Sequence, residues 1–85
     1  MSGLRNATFE PPTTPADPRL VRIDYTNYRG ERGWRVVVPS FVAFESNEWH
    51  PVACWLLHAW DVDKAAMRTF AMDKIHAWVP LTTSA

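Results

Sequence analysis

A small, mainly β domain is the fold class that residues 19–80 predict. Three observations carry it. Residues 20–28, LVRIDYTNY, alternate strictly, with Val21, Ile23 and Tyr25 on one side and Arg22, Asp24 and Thr26 on the other, the period of a strand with one wet face. RGWRVVVPSFVAF then supplies a second run rich in valine and aromatics. The run WHPVACWLLHAW (49–60) sorts into an apolar row of Ala53, Trp55, Leu57 and Ala59 and a mixed row of Cys54, Leu56, His58 and Trp60.

The connections agree with that reading. TNYRGE offers Asn27 and Gly30, residues suited to a tight turn with positive φ. In the second run Trp34, Val36 and Val38 share one face, with Arg35 and Val37 on the other. Pro39 cannot donate to a ladder, so the strand should bend or end there. ESNE (45–48) is a polar turn. The run 49–60 remains compatible with a helix, because His50-Pro51 offers a start and Ala and Leu are good formers. VDKAAMRTFAMDKIHAW (62–78) is open in the same way: Asp61 could cap a helix there, and Ala65, Ala66 and Met67 favour one, yet three β-type segments need pairing partners.

Composition bounds the rest. Eighty-five residues allow one domain, near the lower limit for a self-sufficient core, since roughly 60% of the unfolded surface is buried at this size. The chain compensates with 47% hydrophobic residues and five tryptophans. Nine basic and nine acidic residues give a net charge of zero, which argues against a general electrostatic grip on duplex nucleic acid but not against a local basic pocket. Seven of the nine cations are arginine, whose fork suits carboxylates and phosphates.

Residues 1–18 carry four prolines among Ser, Thr and Asn and read as a disordered or extended tail that docks, if at all, through Phe9. Residues 81–85 read as a frayed end. A single cysteine excludes an internal disulfide and a cysteine-based metal centre. The absence of an apolar leader in MSGLRNATFEPP, and of any run near the ~18 apolar residues that span a bilayer, makes a cytoplasmic protein with no membrane role the expectation.

The spacing of these segments resembles that of WYL domains. IDYTNYRGERGWRVVVP is similar to their first hairpin, with Tyr25, Gly30, Glu31, Arg35 and Pro39 in place. WLLHAWD resembles the strand that names them, with Trp55 and Leu57 matching and Leu56 at the tyrosine position. MRTFAMDKI resembles their closing segment through Arg68, Phe70 and Ile75, with Lys74 where arginine is common. The resemblance spans about residues 20–78 and is closest to short stand-alone versions from bacteria or phages, which carry a similar WHP element. It implies a five-stranded Sm-like or SH3-like barrel, with a turn at 61–66, a strand near 67–70, a 3₁₀ turn at 71–75 and a last strand near 76–79. It also implies a regulatory ligand-binding role. Two departures matter. Leu56 removes the tyrosine hydroxyl from the implied ligand face, and residues 1–18 cannot form a helix-turn-helix, so DNA binding through an attached reader is not expected.

Several chemistries can be weighed from the residues. His50, Cys54 and His58 are spaced four apart; on a helix they could share a zinc, but on a strand neighbours lie ~13 Å apart and no ion is expected. Cys54 with a nearby histidine has nothing to orient it, and Asp61 and Asp63 read as a solvated turn. No catalytic residue, cofactor or enzyme activity is expected. Arg35 sits among valines and needs a partner or a ligand; salt bridges to Glu31, Asp61 or Asp73 are the structural alternative. The expected ligand residues are Arg35, Arg68, Lys74 and His58, with Trp60 and Leu56 as a flat wall, taking a small anion or nucleic-acid fragment such as a nucleotide. Trp55, Leu57, Ile23, Tyr25, Val36, Val38 and Phe70 are the expected core. The second functional expectation is a protein-interaction or homo-oligomerisation module with structural arginines, because five tryptophans cannot all be interior in so small a domain.

Overall fold

The structure, a computed structural model, describes residues 9–12 and 17–81. Most of the expected tail (1–8 and 13–16) and of the expected frayed end (82–85) lies outside the described residues. Five antiparallel strands form one sheet: β1 (Val21–Thr26), β2 (Arg32–Glu45), β3 (Cys54–Asp61), β4 (Ala66–Ala71) and β5 (Ile75–Pro80), with a 3₁₀ turn at Met72–Lys74. The segment 62–78, ambiguous by propensity, is therefore turn, strand, 3₁₀ turn and strand. Its competing helical preference loses to the ladder that β3 offers β4. The tight turn before β4 places Ala65 at φ 52°, a left-handed conformation that a β-carbon disfavours.

The strand order is β4-β3-β2-β1-β5. The expected closed barrel is not formed, because β4 and β5 do not pair and the 3₁₀ turn carries the chain from one edge to the other. The sheet nevertheless encloses a core. Val21, Ile23 and Tyr25 of β1, Val37 of β2, Leu57 and Ala59 of β3 and Phe70 of β4 form one cluster, with Ile75 of β5 packed against it. One sheet that contributes from every strand to one cluster must curl around it. Tyr25 closes part of the gap. Its ring meets Phe70 edge-on at 5.0 Å, and its hydroxyl accepts the Ala71 N–H of β4 at 3.0 Å. Burial pushes the Tyr25 phenol up, and the Ala71 hydrogen bond partly opposes this. The Leu81 N–H donates to the Leu20 carbonyl at 3.1 Å, tying the end of β5 to the start of β1.

Three expectations about side-chain direction are corrected. Ile23 lies opposite Arg35 and Val21 opposite Val37, so Arg35 and Val37 face the core. Val36 lies on the outer face and is only half-buried, while Val38 is fully buried opposite Trp60, beyond the irregularity between Pro39 and Phe41. Trp55 is not core. It lies one row beyond Leu57, opposite Phe44, stands 57% exposed and meets Phe44 edge-on at 5.4 Å. Leu56, expected on an open ligand wall, is fully buried between Ala43 and Ala71. The small neighbours on both flanking strands leave room for it, and a leucine there has no hydroxyl to keep wet.

Candidate functional site

Two turns built by asparagine frame the site. In the β1–β2 turn, the Asn27 Oδ1 accepts the Arg29 and Glu31 N–H groups at 2.9 Å each, and its Nδ2 donates to Glu31 Oε1 at 3.0 Å. Gly30 supplies the positive φ of 82° that the turn needs. In the β2–β3 connection, Asn47 Oδ1 accepts the Trp49 and His50 N–H groups at 3.0 and 2.8 Å. Its Nδ2 donates to Thr69 Oγ1 at 3.0 Å, pinning this loop to β4. Short polar side chains that bond nearby backbone are what favour Asn in turns. Here they hold Tyr28, Arg29, Trp49 and His50 at the rim of one cavity.

That cavity has a volume of about 790 Å³ and opens between the two turns and β4. Arg29, Arg35, Lys64 and Arg68 line it against the carboxylates Glu31 and Asp61. Both carboxylates are engaged locally: Glu31 accepts from Asn27, and the buried Asp61 accepts the Lys64 N–H at 3.2 Å. Among the described residues, the side chains of Arg35, Lys64 and Arg68 make no hydrogen bond, ion pair or ring contact. Arg35 reaches the cavity by lying along the core face beside Gly33, where a β-carbon would stand 4.0 Å from its Nη1. Tyr25 lies next to Gly33 in register and feels the Arg35 charge.

The expected ligand residues separate. Arg35, Arg68 and His58 line this cavity together. His58 is partly committed already: its ring stacks on Phe41 at 4.2 Å and its Nε2 is bonded to Glu45. Lys74 lines a second, adjoining cavity of about 370 Å³ instead. Trp60 lines neither; Phe9 of the N-terminal segment stacks on it at 5.9 Å, and Arg19 lies over Phe9 at 5.7 Å. Leu56 is interior. The residues missed by sequence reasoning are Tyr28, Arg29, Trp49 and Lys64, all in connections. The one signal for them was the pair of Asn-containing turns, which marks where the chain reverses but not which cavity its side chains rim. Among the described residues no group of three or more His, Cys, Asp or Glu is placed to hold a metal ion, and no helix is long and apolar enough to cross a membrane.

Comparison with known proteins agrees with the fold. Among solved structures, the chain is similar to proteasome accessory factor B/C (PafBC) of Arthrobacter aurescens, with a TM-score of 0.58 and 24% identity. The match covers 81% of this chain and 10% of that one, so the present chain corresponds to about a tenth of the PafBC chain. At that identity the likeness speaks for the fold alone. No curated protein matches the sequence. A family model described as the WYL domain matches residues 16–80, most of the chain, and its span contains every strand and both Asn-built turns. The protein belongs to the WYL domain family.

Proposed function

We propose that this protein is a non-enzymatic, cofactor-free regulatory module that binds a small anionic ligand, a nucleotide or nucleic-acid fragment, in the cavity between the Asn27 and Asn47 turns. The chain path is Sm-like or SH3-like in this reading, with the gap between β4 and the two Asn-built turns serving as the mouth, and the setting is cytoplasmic. One observation carries the proposal: Arg35 and Arg68 line one cavity and have no carboxylate of their own among the described residues. Guanidinium groups left unpaired at a concave site suit a bidentate anion, and a mixed polar and aromatic cavity of this size is in the range that takes small ligands, roughly 300–1,000 Å³. Lys64 and Arg29 add charge at the rim. His58 orders the wall through Phe41 and Glu45 rather than meeting the ligand.

The test is a titration with nucleotides and short oligonucleotides, followed by tryptophan quenching, since Trp49 stands half-exposed at the rim. Binding is expected for the unmodified protein and loss is expected for Arg35→Ala and Arg68→Ala. Unchanged binding in both variants removes the assignment.

A second reading is favoured by a different surface. Val42, Phe44 and Trp55 are 46%, 60% and 57% exposed at the far end of the β2–β3 hairpin. Exposed apolar groups gathered in this way mark contact surfaces, here for a protein partner or a second copy. Light scattering separates the two readings: a dimer that dissociates on Trp55→Ser and ignores nucleotides favours the contact surface.

A further inference from the structure

We propose that the cationic cavity and its neighbour hold one ligand between them, a phosphate monoester carrying a flat ring, with the phosphate at Arg35 and Arg68 and the ring across Trp49 and Tyr28. This rests on the anion-binding reading of the first cavity and adds the other half of the ligand.

The two cavities adjoin. Their walls share Tyr25, Asn27, Tyr28, Trp49 and His50. Their chemistry differs. The first carries four cations against two locally engaged carboxylates. The second is walled mainly by Tyr28, Trp49, Pro51, Val52 and Cys54, and its one cation, Lys74, is adjacent in sequence to the carboxylate Asp73. Tyr28, Trp49 and Val52 are 58%, 51% and 80% exposed. Trp49 and Val52 thus stand open around one groove with Tyr28, which carries Arg29 over its ring at 5.5 Å, directly beside the unpaired guanidinium groups of Arg35 and Arg68. Each alone is unremarkable, but together they form a surface that a flat ring would dehydrate. The rim is also held in advance: Asn27 bonds the backbone N–H groups of Arg29 and Glu31, just after Tyr28, and Asn47 bonds that of Trp49 itself, so less conformational freedom is lost on binding. Neither cavity by itself explains why the exposed rings and the unpaired cations adjoin.

Calorimetric titrations of the full chain test this with inorganic phosphate, adenosine, adenosine 5′-monophosphate and a 5′-phosphorylated hexanucleotide. The ring-bearing phosphate is expected to bind more tightly than either phosphate or adenosine. Trp49→Ala should weaken it by roughly five- to hundredfold, the range that a lost aromatic stack costs, and leave phosphate binding unchanged. Trp49→Phe, which keeps a flat ring, should restore most of the loss. Binding of the mononucleotide identifies a free nucleotide as the source of this chemistry. The same Trp49 dependence seen with the hexanucleotide alone identifies a strand end, and either result supports the proposal. Phosphate that binds as tightly as its ring-bearing ester, or an ester indifferent to Trp49→Ala, overturns it while leaving the reading of the first cavity intact. No binding of any phosphate probe overturns both.

Discussion

The arginines of this small domain fall into two regions. On the outer face and at the chain entry each has an answer: Arg32 forks Asp24 with its closest contact at 2.8 Å, Arg19 bonds Asp17 at 2.8 Å, and Arg22 lies over the Trp34 ring at 4.3 Å. At the cavity, Arg29 at the rim donates to the Tyr28 hydroxyl at 3.2 Å, but Arg35 and Arg68 have no partner among the described residues. The acidic residues needed to neutralise the second group are present in the chain, yet Glu31 and Asp61 are spent on turns. The contrast separates arginines that hold the sheet's exterior from arginines left available, a distinction that net charge cannot show.

Four experiments would break or sharpen that contrast. Loss of either unpaired cavity arginine, Arg35 or Arg68, is expected to weaken anion binding most. A charge-assisted hydrogen bond contributes about 1.5–3 kcal/mol, so Arg68→Ala should cost about 10- to 100-fold in affinity while the thermal midpoint barely moves; a large fall in the midpoint with binding retained would make Arg68 structural. Tyr25→Phe comes next. It strands the Ala71 N–H at the edge of β4, and leaving a buried donor unsatisfied costs about 1–3 kcal/mol, measurable by urea unfolding; an unchanged midpoint would mean that water replaces the hydroxyl. Ala65→Gly relieves a left-handed residue and should stabilise the fold by about 1 kcal/mol, or roughly 4–8 °C in a domain of this size.

The smallest effect is expected outside. Arg32→Ala should leave ligand affinity untouched and reduce stability slightly, in a manner that salt masks. It should act through Asp24, whose carboxyl the Arg32 hydrogen bond holds below its usual value of 3.8. A depressed carboxyl contributes stability that is present above the unfolded-state value and is lost as the pH falls through the folded one. The variant should therefore lose less stability on acidification than the parent between about pH 5 and the folded-state midpoint. Equal acid sensitivity in both proteins would show the pair to be idle.

How much of this was legible in the sequence differs by element. β1 was plain, because Val21, Ile23 and Tyr25 alternate against Arg22 and Asp24 and all three are buried. β2 was legible as a strand but not by face. Val36, Val37 and Val38 are consecutive, so composition could not tell which valine looks inward, and the register with Ile23 and Val21 decides it. In β3 the alternation misplaced Trp55, because a strand that runs past the end of its core keeps its period while losing its cover. Arg35 and Arg68 could be singled out as oddly placed charges. Tyr28, Trp49 and Lys64 could not, since they sit in connections whose direction is set by contacts across the fold, such as Asn47 to Thr69.

Four of the five tryptophans are exposed and the fifth, Trp60, is half-covered. Most indoles of the native protein therefore already meet solvent. Its emission should sit close in wavelength to that of the denatured chain, so heating or urea will produce little red shift. Light emitted by this protein should report on what settles against Trp49 far better than on whether the chain is folded.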